Sequence, residues 1–226
     1  MKRLVQGLAY ATMLLGSAAA LAVLPPEMSD LVQVKSKRLD QVYLLPGTDF
    51  KAYRKVMIDA TQVSFAKNFL KDTNSSRGIS SGKISDGEAQ QVLAEARKGF
   101  SDIIASTFKN AGIEVVTTPG PDVLWLTPAV INLYVNAPAA GSSATRTYAV
   151  SAGQATFVLA VRDSATGALI GMVIDKRETR SAVGAPVLVN GVVNRQEFEV
   201  LVQRWAQISV KGFKALQEST PVAAKK

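Results

Sequence analysis

The residue types that most often carry out catalysis are absent from this sequence. None of its 226 residues is a histidine or a cysteine. Histidine is the usual general base and the commonest metal ligand, and a cysteine thiolate is both a nucleophile and a metal ligand. The composition therefore excludes Ser-His-Asp and Cys-His catalysis, disulfide bonds and nearly all zinc chemistry. Mechanisms based on carboxylates, lysine, tyrosine or a Ser-Lys pair remain open.

The glycine-rich residues 78–83, GISSGK, resemble a phosphate-binding loop. Such a loop needs four residues between its glycines and a serine or threonine directly after the lysine. Here three residues separate the glycines, and an isoleucine follows the lysine. Ser80 and Lys83 also have the spacing of a Ser-Lys dyad, but the companion motifs S-D-N and K-T-G are missing. Both patterns are more typical of a flexible loop.

Four aspartates, Asp59, Asp122, Asp163 and Asp175, lie within a predicted strand, at strand ends or in turns. Two carboxylates at a suitable separation can hydrolyse a glycosidic bond. An aspartate that forms a turn or is solvated is the commoner alternative. We therefore assign no catalytic, cofactor-binding or metal-binding residue, and we expect no cofactor.

Two tryptophans, Trp125 and Trp205, are candidates for a platform that stacks on sugars. Each has apolar neighbours at the period of its own element, which favours packing in the core instead. The run at residues 175–178, DKRE, indicates a charged strand end. Residues 74–76, NSS, match a glycosylation sequon by pattern alone.

Residues 1–22 have the three parts of a secretory signal peptide. A positively charged start precedes an apolar stretch over residues 4–15, and the small residues of Ala20-Leu21-Ala22 suit signal peptidase. The apolar stretch is too short to span a bilayer well. We expect cleavage after Ala22 and a periplasmic product without a transmembrane segment.

Two details qualify the processing of this segment. Ala18 and Ala20 offer a second cleavage site. Residues 14–17, LLGS, have the shape of a bacterial lipobox, with Ser17 in place of the cysteine that bears the lipid. Because a hydroxyl is a far poorer nucleophile than a thiolate, we expect no lipid anchor.

The basic charge of the chain bears on its partners. The formal net charge is +8, and loss of residues 1–22 would remove two basic residues and no acidic one, leaving +6. This charge favours an acidic partner such as lipid headgroups or an anionic polymer, or an envelope protein with an acidic surface. Scattered basic residues are also typical of an ordinary solubilising surface. Aromatic residues are not interleaved with a basic patch, so nucleic-acid binding has little support.

Apolar patterning divides the mature chain into one α+β domain with two flanks. We expect an N-terminal tether over residues 23–41, a single domain over residues 42–217 and a flexible basic tail over residues 218–226. Alternation predicts strands over residues 42–45, 54–65, 113–118, 123–135 with an interruption at Pro128, 148–162 and 168–178. Polar, glycine-rich loops are predicted over residues 71–84, 136–147 and 180–193.

Two helices are predicted from capping boxes, one at Ser85 and Glu88 and the other at Asn194 and Glu197. Asn110-Ala111-Gly112 should end the first helix. The expected apolar faces are Ala89, Val92, Leu93, Ala96, Phe100, Ile103, Ile104 and Phe108, and Phe198, Leu201, Val202, Trp205, Ile208, Ser209 and Leu216. Gly167 should close a hairpin. The fold class expected is an α+β two-layer sandwich, with both helices on one face of a mixed, mostly antiparallel sheet.

Several phrases occur together along this domain: VYLLPGTDF at 42–50, YRKVMID at 53–59, PGPDVL at 119–124, AGQAT at 152–156 and RDSATGALIG at 162–171. Together they resemble a bacterial envelope family, the domain of unknown function 3313, over about residues 30–215. The resemblance implies an exported protein, often a predicted lipoprotein, with no established activity and no catalytic residues to carry over. The serine at position 17 departs from the lipoprotein members.

Two functions are compatible with these observations. The first is a non-enzymatic exported envelope protein that acts as a binding or interaction module. The alternative is a periplasmic hydrolase that uses carboxylates. The first is favoured because every catalytic pattern above lacks its companion residues.

Overall fold

Strands and helices alternate through the described part of the chain. A computed structural model describes residues 26–76, 83–136, 148–149, 153–179, 187–188 and 191–219. Two short 3-10 helices cover Pro26–Asp30 and Phe50–Ala52. The longer elements, in chain order, are β1 (Val32–Val34), β2 (Gln41–Leu44), β3 (Lys55–Ile58), β4 (Gln62–Phe65), α1 (Phe69–Ser76), α2 (Asp86–Asn110), β5 (Glu114–Val116), β6 (Val123–Val135), β7 (Tyr148–Ala149), β8 (Gly153–Asp163), β9 (Leu169–Glu178), β10 (Val187–Leu188) and α3 (Gly191–Glu218).

Most of these strands form one mixed sheet. Its order is β1-β2-β9-β8-β6-β3-β5, and β4 pairs with β6 beyond the end of β3. Neighbours from β1 to β6 are antiparallel, whereas β3 and β4 run parallel to β6, and β5 runs parallel to β3. The parallel part arises because α2 is a crossover that returns the chain to the same end of the sheet. The predicted α+β fold with a mixed, mostly antiparallel sheet is confirmed.

The hairpin between β8 and β9 follows its turn residues. Asp163 Oδ1 accepts hydrogen bonds from the Thr166 amide and hydroxyl at 2.7 Å each. Gly167 has a φ of +75°, which costs glycine little. This turn fixes the register of the antiparallel pairing between β8 and β9.

The predicted cap of α2 is present in full. The Ser85 hydroxyl accepts a hydrogen bond from the Glu88 amide at 3.2 Å, and the Glu88 carboxylate accepts one from the Ser85 amide at 2.8 Å. Gly112, with a φ of +78°, follows the last turn. The predicted apolar face of α2 is buried at Ala89, Leu93, Phe100, Ile104 and Phe108 and half-buried at Ala96 and Ile103. Val92, whose side chain is 50% exposed, does not belong to it.

The start of α3 differs from the prediction. The helix begins at Gly191, so Asn194 lies inside its first turn and is not the N-cap. The Asn194 side-chain amide donates to the Asn136 carbonyl at 3.2 Å. The Asn194 side chain, which the sequence pattern assigned to helix capping, therefore binds a residue far away in the chain.

The main core lies between the sheet and the paired helices α2 and α3. From α2 it takes Phe100, Ile104 and Phe108, and from α3 it takes Leu201 and Trp205. All five are buried as predicted. Each of the two amphipathic helices thereby buries its apolar face against the same side of the sheet.

The other face of the sheet is partly covered by the N-terminal segment. We expected residues 23–41 to be a tether, but their described part contains a 3-10 helix and strand β1, which pairs with β2. Leu31 packs with Leu169 and Met172 in a second, smaller apolar cluster. Apolar residues at this end thus fold onto the edge of the sheet because that edge offers both hydrogen bonds and apolar surface.

Three further sequence expectations are corrected near β4. The single strand predicted over residues 54–65 is two strands, because the chain leaves the ladder between Ile58 and Gln62 and rejoins β6 one residue out of register. Strand β6 is not interrupted at Pro128, which lies opposite this gap, where no ladder partner requires an amide. Part of the predicted loop over residues 71–84 is helix α1, whose Phe69 stacks on Phe65 with ring centroids 4.6 Å apart.

Candidate functional site

Asp59 is held by two neighbours on β6. Trp125 Nε1 and Thr127 Oγ1 both donate to Asp59 Oδ2, at 2.8 Å and 2.7 Å. Because Leu124 and Leu126 face the main core, alternation places Trp125 and Thr127 on the opposite face of the sheet. Trp125 is half-buried there, so the expectation that it packs in the core is wrong.

Asp122 and Asp163 are also bonded locally. Asp122 forms an ion pair with Lys55 at 3.2 Å, and Asp163 Oδ2 accepts from Tyr53 Oη at 2.9 Å. Burial, together with the hydrogen bond and negative charge of Asp163, raises the pKa of Tyr53 far above its ordinary value. Burial also raises the pKa of Asp163, but the hydrogen bonds from Thr166 and Tyr53 outweigh it, so the net pKa lies below its ordinary value.

Asp175 is a buried carboxylate beneath α3. Its side chain is 2% exposed and accepts hydrogen bonds from Trp205 Nε1 at 2.7 Å, from the Arg177 guanidinium, and from the Asp40 amide at 2.9 Å. A buried charge requires such partners. Asp175 therefore fastens α3 and the segment before β2 to the sheet, and is not the solvated strand end that the sequence suggests. Trp205 is fully buried, as predicted.

The other sequence candidates have no site around them in the described part of the chain. Residues 77–82 and 137–147 lie outside the described residues, so most of the phosphate-loop pattern and one polar loop do too. Lys83 is exposed. Asn74, from the sequon, exchanges two hydrogen bonds with the main chain of Ile84, at 2.9 Å and 2.8 Å. Among the described residues, no group of three or more acidic side chains is arranged to hold a metal ion.

A cavity of about 630 Å³ lies between the sheet and the C-terminal half of α3. Strands β2, β6, β8 and β9 present apolar side chains to it, and α2 and α3 close its other sides. Its walls include Leu44, Leu126, Leu159, Val161, Val173, Phe108, Phe213 and Leu216. Ile208, which we expected to be buried, is half-buried and lines this cavity. We call this space the α3 cavity.

The rim of the α3 cavity is basic. Lys35, Lys37 and Arg38 come from the connection between β1 and β2, and Lys211 comes from α3. All four are exposed, and they form no ion pair within the described residues. None of the described residues that line the cavity is acidic. An apolar interior thus opens at a rim of unopposed positive charge.

Gly212 contributes to the openness of the α3 cavity. It lies within α3 and lines the cavity, and a Cβ placed on it would meet no atom within 4 Å. Glycine inside a helix costs about 1 kcal/mol relative to alanine. Because Gly212 has no side chain, it leaves the neighbouring part of the α3 cavity empty, at the expense of helix stability.

A second cavity, of about 590 Å³, lies nearer the N-terminal end of α3. Side chains of both charges line it, among them Asp40, Arg177, Glu178, Glu197 and Arg204. Part of this charge is already engaged in the bonding around Asp175. Mixed charges produce only a weak net field, so this cavity does not select for one sign of ligand.

Sequence reasoning missed the α3 cavity although two signals of it were present. The basic run at residues 35–38 was visible but was assigned to a tether. Gly212 interrupts the apolar face of a strong helical pattern, and an isolated helical glycine often has a packing or functional reason. What could not be seen was that the basic run and this glycine border the same space.

Comparisons with known proteins give a family and some remote structural similarities. No curated protein matches the chain. The PelC dodecamer from Paraburkholderia phytofirmans is 16% identical, with 74% of this chain and 96% of that chain covered and a TM-score of 0.32. A minor lipoprotein from Acinetobacter baumannii is 11% identical, with 72% and 94% covered and a TM-score of 0.34. We draw no functional assignment from similarities of this size.

The family match is more extensive. A family model described as "Protein of unknown function (DUF3313)" matches residues 24–208. This range includes all the strands of the main sheet and the helices α1 and α2, together with most of α3. The chain therefore belongs to the DUF3313 family of proteins of unknown function.

Proposed function

We propose that this chain is an exported, non-enzymatic protein of the cell envelope that binds a partly apolar ligand in the α3 cavity. The observation that carries the proposal is the cavity itself, about 630 Å³ in volume with apolar walls. Ligand sites of proteins have volumes of about 300–1,000 Å³ and mostly apolar linings. Export is supported by the signal-peptide pattern of residues 1–22.

The carboxylates support binding over catalysis. Asp59, Asp163 and Asp175 each accept at least two hydrogen bonds from neighbouring groups, and Asp122 pairs with Lys55. None of these four lines the α3 cavity. Among the described residues of the lining, a ligand would therefore meet aliphatic, aromatic, hydroxyl and basic groups and no carboxylate that could act as acid, base or nucleophile.

The proposal is tested with a neutral apolar fluorophore, N-phenyl-1-naphthylamine, titrated into the purified protein. We expect saturable binding with one site per chain. Gly212→Leu places a side chain in the cavity and should weaken binding at least tenfold. Gly99→Leu is the matched control, because Gly99 is also a helical glycine with open space around it but does not line the cavity. It should bind the dye like the unaltered chain.

Two outcomes would contradict the binding proposal. One is the absence of saturable dye binding, and the other is equal binding by the Gly212 and Gly99 variants when circular dichroism shows both to be folded. The non-enzymatic part is tested with chromogenic esters and glycosides. Turnover that disappears in Asp59→Asn or Asp122→Asn would establish the carboxylate hydrolase instead.

A further inference from the structure

Resting on the proposed function, we infer that the ligand of the α3 cavity is an anionic amphiphile with a single alkyl chain. The cavity joins two chemically different regions, an apolar interior and a basic rim. A ligand that matches both has one apolar part and one negatively charged part at its end. Fatty acids and monoacyl phospholipids share this chemistry.

The shape of the interior favours an alkyl chain. The wall formed by the sheet is aliphatic at Leu44, Leu126, Leu159, Val161 and Val173. Flexible methylene chains fill such a surface by dispersion contacts at many points. The volume lies in the middle of the range for drug-sized ligands, which suits one chain.

The rim favours an anionic headgroup. Four exposed basic residues line the cavity, with Lys35, Lys37 and Arg38 in the β1–β2 connection and Lys211 on α3. Asp40, the acidic residue nearest to this run along the chain, belongs to the second cavity and accepts a hydrogen bond from the Lys176 amide at 2.9 Å. Among the described residues of the cavity no acidic side chain therefore neutralises the positive charges at the rim. Several charges of one sign around a low-dielectric opening focus the field on it.

The inference predicts how affinity depends on the ligand. Dodecanoate and lauroyl lysophosphatidylglycerol, as carboxylate and phosphate probes, should displace the neutral dye at least tenfold more strongly than dodecanol at low salt. The relative strength of these two probes shows which anionic headgroup is preferred. Raising the salt concentration should reduce the preference over dodecanol, because exposed charges are screened. Decanoate, which is two methylenes shorter, should bind roughly fifteenfold more weakly than dodecanoate, since each buried methylene contributes about fourfold in affinity.

Charge reversal separates the rim from the interior. Lys35→Glu combined with Lys37→Glu should weaken dodecanoate binding at least tenfold and leave dodecanol binding unchanged. The control is Lys67→Glu combined with Lys71→Glu, which changes the net charge equally at exposed positions that do not line the cavity. It should leave both affinities unchanged. Gly212→Leu should weaken both ligands.

The outcomes distinguish the inference from the proposed function. Dye and dodecanol binding that is sensitive to Gly212→Leu, without any preference for the anionic probes, would overturn the anionic amphiphile and leave the binding cavity standing. Equal loss of dodecanoate affinity in both double lysine variants would also overturn it, because net charge alone would then explain the effect. Absence of dye binding would contradict the proposed function itself.

Discussion

Individual aspartates in this protein accept hydrogen bonds that hold a turn or a helix in place. Asp163 shows the pattern most clearly, since its two carboxylate oxygens accept hydrogen bonds from Tyr53 on one side and from Thr166 on the other. Charge-assisted hydrogen bonds of this kind are stronger than neutral ones. They connect the β8–β9 hairpin to the segment before β3, so Asp163 stabilises the fold.

This bonding predicts a pH dependence. The folded-state pKa of Asp163 lies below its ordinary value of 3.8. A depressed pKa contributes stability above the ordinary value, and the contribution is lost as the pH falls through the folded-state pKa. Asp163→Asn should therefore lower the free energy of unfolding by about 1–2 kcal/mol at about pH 6 and by clearly less near pH 2.5, measured by urea denaturation.

The control for Asp163 is Asp102→Asn. Asp102 lies on α2 in an exposed pair with Lys98, and such pairs contribute roughly 0.3–0.5 kcal/mol. An equal loss of unfolding free energy in Asp163→Asn at both pH values would show that the charge of this carboxylate does not stabilise the hairpin.

At the scale of elements, helix α3 has two different environments along its length. Its N-terminal half is packed into the main core through Leu201, Val202 and Trp205, and Trp205 stacks on Phe157 with ring centroids 5.2 Å apart. Its C-terminal half borders the α3 cavity through Ile208, Gly212 and other residues. Core contacts continue through Val210 and Phe213 in the C-terminal half, and they hold the helix in place while Ile208 and Gly212 border open space beside the sheet.

We expect mutations on the buried face and on the exposed face of α3 to differ. Leu201→Ala should lower the free energy of unfolding by about 2–5 kcal/mol, because it leaves a hole in a packed core. Val200→Ala is the neighbouring control, since Val200 is 62% exposed and an exposed substitution changes stability by about 0.5 kcal/mol or less. Chemical denaturation of both variants measures the difference. Equal effects at the two positions would mean that the α3 face is wrongly assigned.

At the scale of the whole molecule, two helices cover one face of the sheet and the N-terminal segment covers part of the other. None of the helices in the described part combines the length and apolarity needed to cross a bilayer. The apolar stretch at residues 4–15 precedes the described residues, and its pattern predicts part of a signal peptide. The α3 cavity would then be presented to the ligands of the compartment that receives the protein.

Export makes a direct prediction about the mature chain. Because small residues at Ala20 and Ala22 suit signal peptidase, the protein purified from its native host should begin at Val23. Because Ser17 stands where a lipobox has cysteine, its mass should include no acyl group. Intact-protein mass spectrometry measures both. A chain that retains Met1, or carries an added acyl mass, would contradict the prediction.

Local patterns in the sequence determined much of this architecture. The capping box at Ser85, the turn at Gly167 and the period of β6, β8 and β9 are signals between residues close in the chain, and each indicated the right kind of element, although β6 continues through the expected interruption at Pro128. The absence of histidine and cysteine also settled which chemistries are excluded. Such features depend on local backbone preferences and on composition, which one sequence displays directly.

The tertiary structure decided the features that depend on residues far apart in the chain. The sequence indicates a solvated strand end at Asp175, but in the fold Trp205 and the Asp40 amide donate hydrogen bonds to its buried carboxylate. The basic run at residues 35–38 looked like part of a tether until β1 paired with β2 and brought it to the rim of the α3 cavity. A cavity is space that several elements leave between them, so no single segment encodes it. Only the packing of α3 against the sheet shows it.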